Sequence, residues 1–145
     1  AAAFDEQGFY RSGDLFEIAG EHGEHYRFTG RAKDIIIRGG INISAAEIEN
    51  LVAAHPAVAE VAVVGTPDAR LGERVCACVV PRTGQCLDLP TLVTWLREVR
   101  QVGVVKLPER LLLLEALPRS PNTKVLKGQL RALAARAADS PSRGD

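Results

Sequence analysis

Apolar residues in this chain fall into short runs and helical stripes, separated by glycine, proline and charge. Ile35, Ile36 and Ile37 form a β-branched run within Asp34–Arg38, the pattern of a buried strand, and Gly39-Gly40 breaks it. Ser44 with Glu47 three residues later is a capping box. Ile48, Leu51 and Val52 then share one face of the helix it opens, and His55-Pro56 closes that helix. Val58–Val64 and Val75–Val80 predict two strands joined by a turn-rich link from Gly65 to Glu73. Arg82–Gln85 reads as a polar turn. Asp88-Leu89-Pro90 opens a second helix, apolar at Leu92, Val93, Leu96 and Val99. Leu111–Leu114 predicts another strand, and Lys127–Ala138, rich in Ala, Leu and Arg, a terminal helix. The first 30 residues are patterned more weakly. Gly8, Gly13, Gly20, Gly23 and Gly30 punctuate short strands there, among them Tyr26-Arg27-Phe28.

From residue 34 the order is therefore β, α, β, β, α, β, α. Such a mixture predicts an α+β fold, a small sheet of few strands covered by helices. A shift in composition near residues 30–34 predicts a boundary. The expected organisation is a β-rich remnant of a missing, larger domain over 1–32, a compact domain over 33–138, and a disordered tail over 139–145. The chain has no Met and opens on Ala1, so it reads as a piece of a longer protein. Ala1–Asp5 has neither the basic segment nor the apolar core of a signal peptide.

Composition narrows the function classes. Of 145 residues, 46% are hydrophobic and 25% charged, the proportions of a globular domain. Eighteen basic residues balance 18 acidic ones, so no global field favours nucleic acid or an anionic membrane. Phosphate binding, if present, must be local. No apolar stretch reaches the roughly 18 residues that span a bilayer. Cys76, Cys78 and Cys86 are odd in number and lack a CxxC spacing. They are expected to be core thiols in a reducing cytoplasm, with no metal site and no disulfide.

Three stretches carry candidate chemistry. In Gly8-Phe9-Tyr10-Arg11-Ser12-Gly13-Asp14, an Asp after a glycine turn can accept hydrogen bonds from a vicinal diol such as a ribose. Thr29–Asp34 is a charged boundary segment of the kind that can serve as a hinge, and Gly39-Gly40 beyond it would let backbone approach a ligand closely. Pro118-Arg119-Ser120-Pro121-Asn122-Thr123-Lys124 is a polar loop that presents one compact ammonium, suited to phosphate or carboxylate oxygens. Taken singly, each is also an ordinary turn, a solvated hairpin or a surface charge.

Together, in this order, they resemble the C-terminal end of adenylate-forming enzymes: acyl-CoA synthetases, aryl-acid ligases, luciferases and peptide-synthetase adenylation domains. Tyr10-Arg11-Ser12-Gly13-Asp14 is similar to that family's Y-R-T/S-G-D. Gly30-Arg31-Ala32-Lys33-Asp34 through Glu49 is similar to its G-R-x-D/K-D…G-x-x-I…E-I-E segment, and Pro118–Lys124 to its P-x-[ST]-x-x-G-K loop. The link from Ala57 to Val64, with Gly65, Gly72 and Glu73, also looks like the family. The resemblance covers about residues 8–135. One position departs: the residue before the loop lysine is usually Gly, and here it is Thr123. A β-branched residue adopts positive φ poorly, so the loop is expected to take another shape.

The resemblance implies an AMP-forming acid–thiol ligase working in two steps. A carboxylate attacks ATP to give an acyl-adenylate, and a thiol then displaces AMP. It implies that Lys124 stabilises charge in the first step, that Asp14 holds the ribose hydroxyls, and that Arg31 assists at ribose or phosphate. Lys33 takes the hinge position, and the small domain rotates so that the Gly39-Gly40 face replaces Lys124 beside the pantetheine arm. ATP, Mg2+ held mainly by the missing domain, and CoA are the implied cofactors. The N-terminal domain, a carboxylic acid (fatty acids among them) and CoA or a carrier-protein pantetheine are the implied partners. The leading expectation is the C-terminal part of a cytoplasmic acid:CoA ligase, inactive as this fragment. The alternatives are an aryl-acid or amino-acid adenylating enzyme that loads a carrier protein, and a non-catalytic docking domain.

Overall fold

The computed structural model describes residues 4–23 and 25–139. The chain divides into two compact units, Ala1–Ile35 and Ile36–Asp145.

In the first unit, β1 (Asp14–Ala19) and β2 (His25–Arg31) form an antiparallel hairpin, from Asp14↔Arg31 to Ala19↔His25, with an irregularity between Leu15 and Phe16. Gly20 and Gly23 turn the chain with positive φ. Cross-strand pairing sets Phe16 opposite Phe28 and Ile18 opposite Tyr26 on one face. The two Phe rings meet edge to face at 5.7 Å, and all four side chains are exposed. A short 3-10 turn, Ala32–Asp34, follows.

The second unit is built on a sheet. β3 (Ile35–Arg38) and β4 (Ile41–Ser44) precede α1 (Ala45–Ala53). β5 (Val58–Asp68) and β6 (Gly72–Pro81) form a long antiparallel hairpin. Then come α2 (Leu89–Glu98), β7 (Arg110–Leu113) and α3 (Lys127–Asp139). The strand order is β4-β3-β6-β5, and β7 lies parallel to β6 over Cys76–Val79. The fold is α+β, as the mixed periodicity predicts.

Alternation along β6 explains the packing. Val75, Ala77 and Val79 join Ile48, Val52, Leu92 and Leu96 of α1 and α2 in one core cluster. Cys76 and Cys78, on the other face, join Leu130 and Ala134 of α3 and Leu117 in a second. Helices thus cover both faces, and so Val75–Val79 are buried without a polar break. Full burial of each valine there contributes about 1.5–3 kcal/mol. His55 is buried with its ring edge to face against Trp95 at 4.9 Å, and its Nδ1 accepts from Ala57 N at 3.1 Å. Desolvation pulls its pKa below the usual imidazole value.

Local signals act as expected at both helix starts. Ser44 Oγ accepts from Glu47 N at 3.3 Å, and the Asp88 carboxylate accepts from Thr91 N at 2.8 Å. Elsewhere the sequence expectation needs correcting. The supposed link Gly65–Glu73 is mostly strand, because Gly65–Asp68 pair with Gly72–Val75. Only Ala69–Leu71 turn, held by Asp68 Oδ1, which accepts from Arg70 N at 3.0 Å and Leu71 N at 2.9 Å. Pro67 is tolerated in β5 because that strand ends the sheet order. β4 is an added strand that the pattern did not indicate. α2 stops at Glu98, leaving Val99 exposed rather than in the apolar stripe. Cys86 is exposed in the turn before α2, so it is not a core thiol. Cys76 and Cys78 are buried, and hydrogen bonding with Cys76 together with burial keeps the Cys78 thiol protonated. Asp139 closes α3, and the rest of the expected tail, 140–145, lies outside the described residues. No described helix is long and apolar enough to cross a membrane.

Candidate functional site

The candidate residues fall into three clusters, one in the first unit and two in the second. In the first unit, the hairpin register sets Asp14 opposite Arg31. The Arg31 Nε and Asp14 Oδ1 atoms stand 3.5 Å apart, both side chains partly exposed. Asp14 N donates to Ser12 Oγ at 3.2 Å, and Ala32 N donates to Gly13 O at 2.7 Å. The Tyr10–Asp14 and Gly30–Asp34 stretches therefore meet across the open end of the hairpin. A carboxylate beside a guanidinium can accept from hydroxyls and donate to phosphate at one place. Lys33 lies in the exposed 3-10 turn that leaves this hairpin.

In the second unit, Gly39 and Gly40 make the turn between β3 and β4, with φ of +56° and +81°. Gly39 N donates to Leu71 O at 2.7 Å. A Cβ on Gly40 would meet nothing within 4 Å. The turn is thus tied down at its first glycine and open at its second. Beside it runs a charged network: Arg38 Nε bonds Glu109, Glu109 bonds Arg74 Nη1, and Arg74 Nε bonds Asp68. The hydrogen bond from Arg74, with those from Leu71 N and Arg70 N, holds the Asp68 carboxyl at about 2.

Lys124 ends a tight turn between β7 and α3. Arg119 and Val125 form a β-bridge across its base, and Ser120 N donates to Lys124 O at 2.8 Å. Thr123 N donates to Ser120 O at 2.9 Å, and Thr123 itself takes φ 62°. Despite its β-branch, Thr123 occupies the left-handed region. Arg119 holds it there: one guanidinium nitrogen donates to Thr123 O at 2.9 Å, the other to Glu60 Oε1 on β5 at 2.9 Å. The Lys124 side chain is exposed, with no carboxylate partner among the described residues.

The two clusters of this unit are anchored at opposite ends of the β5–β6 hairpin. The Lys124 turn is fixed through Glu60, near the start of β5. The Gly39-Gly40 turn is fixed through Leu71, at the Asp68–Gly72 end. Glu60 to Asp68 is eight strand steps, about 26 Å at the usual rise of about 3.3 Å per residue.

Sequence reasoning missed several supporting residues. Glu73 Oε2 accepts from Ile37 N at 2.8 Å, and its carboxylate packs on Gly65, where a Cβ would stand 2.6 Å from Oε1. Glu49 accepts from Val63 N at 2.9 Å and from Lys127 Nζ at 2.7 Å, joining α1, β5 and α3. Glu49, Glu60 and Glu73 lie in stretches that carry the family resemblance, but no pattern foretells these contacts, and Glu109 lies in no motif. Among the described residues no group of three or more His, Cys, Asp and Glu is placed to hold a metal ion.

A protein-family profile described as the AMP-binding enzyme C-terminal domain matches residues 47–124. The chain is similar to the medium-chain fatty-acid–CoA ligase of Escherichia coli, 42% identical over 132 residues, 90% of this chain and 23% of the ligase. It is similar to the 2,3-dihydroxybenzoate-AMP ligase of Bacillus subtilis, 41% identical over 131 residues, 90% of this chain and 24% of that enzyme. Among solved structures it is similar to ATP-bound MatB from Rhodopseudomonas palustris, at TM-score 0.79 and 36% identity, covering 93% of this chain and 26% of that one. The chain thus spans about a quarter of the length of these relatives.

Proposed function

Because the chain belongs to the family of AMP-binding enzyme C-terminal domains, we propose that it is the C-terminal part of a cytoplasmic, ATP-dependent acid:CoA ligase. The observation that carries this reading is the anchoring of the two candidate turns at opposite ends of one hairpin. Turns anchored about 26 Å apart along one strand do not serve one active site in one pose. They can serve it in turn, if the domain rotates.

In the first pose Lys124 enters the site. Its exposed ammonium meets the two anions that must approach each other, the acid's carboxylate and the α-phosphate of ATP. A fixed cation offsets their repulsion and stabilises the charge that develops as the acyl-adenylate forms and pyrophosphate leaves. Asp14 accepts from the ribose hydroxyls, and Arg31, oriented by Asp14, donates to ribose or phosphate oxygens. In the second pose Lys124 is withdrawn and the Gly39-Gly40 turn lines the path of the pantetheine thiol, which attacks the acyl carbonyl and displaces AMP. The open face of Gly40 suits that role. Lys33 is the hinge between residues 1–32, which complete the large domain, and residues 33–138, which move. Mg2+ is expected to be held by the large domain.

Nearly equal identity to a CoA ligase and to an aryl-acid AMP ligase supports a second reading, in which the thiol belongs to a carrier protein. Both are tested by ATP–pyrophosphate exchange of the full-length protein across a panel of acids, followed by thioester formation with CoA and with a holo-carrier. Acid-dependent exchange and an acyl-CoA product are expected. Absence of exchange with every acid would overturn the adenylation reading, and transfer to the carrier alone would select the second.

A further inference from the structure

We infer that Glu109 is a positioning residue for the Gly39-Gly40 turn, and through it for the thioester-forming step; this rests on the role proposed above for that turn. The turn joins β3 and β4, hydrogen-bonded neighbours that fix its base. β3 meets β6 through one register pair, Arg38↔Gly72. Both glycines have positive φ and wide conformational freedom, and nothing packs within 4 Å of a Cβ on Gly40. Contacts from outside the β3–β4 pair set the direction of its open tip.

A closed circuit of contacts does this. Glu109 uses one carboxylate oxygen on Arg38 Nε and the other on Arg74 Nη1. Arg74 Nε bonds Asp68. Asp68 Oδ1 accepts from Leu71 N at 2.9 Å, and Leu71 O accepts from Gly39 N at 2.7 Å. Gly39 is bonded to Arg38, which closes the ring. The Leu71 side chain adds contact, 3.4 Å from the place of a Cβ on Gly39. Glu109 itself is fixed at the entry to β7, where its N donates to Val75 O at 2.9 Å. All four charged side chains are partly exposed, at 13–30%, so water screens the ring only in part. Removing the Glu109 charge leaves Arg38 and Arg74 facing one another as like charges and opens the ring beside the turn. A shift of about 1 Å at a reacting centre can cost about 100-fold in rate. Lys124 is anchored at the far end of the hairpin and is untouched.

The test is Glu109→Gln in the full-length protein, with the half-reactions measured separately. Acid-dependent ATP–pyrophosphate exchange should stay within about twofold of wild type. Thioester formation from supplied acyl-adenylate should fall about tenfold in kcat, with KM for the thiol little changed, as expected for misplacement rather than lost binding. Asp68→Asn, on the opposite side of the ring, should give the same split, and carries the test if Glu109→Gln does not fold. Equal loss in both half-reactions, or none in either, would overturn the inference. Gly40→Val separates the premise from the inference. If Gly40→Val blocks thioester formation while Glu109→Gln does not, Glu109 alone is misassigned. If neither affects it, the role of the turn is wrong.

Discussion

At Thr123 a β-branched residue holds φ 62°, a conformation that costs such residues roughly 1–3 kcal/mol. The compensation is external. Arg119 bridges Thr123 O to Glu60 on β5, and the Thr123 hydroxyl donates to Asn122 O at 2.6 Å. Thr123→Gly should remove the strain and raise the stability of the domain by about 1 kcal/mol, part of the gain being offset by the added chain entropy of glycine. Urea denaturation of this chain measures it, and unchanged or lower stability would show that the turn is not strained. The departure at residue 123 is legible in the sequence, but its outcome is not. It depends on Glu60, 59 residues from Arg119 in the chain, and no local pattern announces such a partner.

The β5–β6 hairpin is the element on which both turns are mounted. Its middle was legible, because Val58–Val64 and Val75–Val80 are apolar runs. Its far end was not, because Thr66–Asp68 and Gly72–Arg74 are polar and read as turn, while backbone pairing and the Arg74–Asp68 ion pair keep them in the sheet. β4 was hidden for a related reason: Ile41–Ser44 is short and lies between a glycine pair and a helix cap. The capping box at Ser44, by contrast, is a local device and was read directly. Gly65 tests the hairpin's stitching to β3. A Cβ there would stand 2.6 Å from Glu73 Oε1, so Gly65→Ala should expel the carboxylate and strip Ile37 N of its acceptor. The expected loss is about 1–3 kcal/mol. In denaturant melts, adding Glu73→Ala should then cost little more, because both changes remove the same contact. Fully additive losses would show that Glu73 does not bridge the strands.

Across the whole molecule, a small sheet covered by helices followed from hydrophobic period, and the candidate roles of Asp14, Arg31 and Lys124 came from family resemblance alone. What neither revealed is the spacing: the positions that anchor the Lys124 turn and the glycine turn lie about 26 Å apart along the β5–β6 hairpin. That spacing requires motion if both turns work on one substrate. Lys33→Pro fixes φ at the proposed hinge. In the full-length protein it should leave adenylation within severalfold of wild type and reduce thioester formation more than about tenfold; unchanged thioester formation would remove Lys33 from the hinge. The central claim is tested most directly by Lys124→Ala in the full-length protein, with the two half-reactions assayed apart. The account predicts that ATP–pyrophosphate exchange falls by about 100-fold or more, the scale of losing a principal electrostatic stabiliser, while thioester formation from supplied acyl-adenylate stays near wild type. Equal loss in both half-reactions would contradict it.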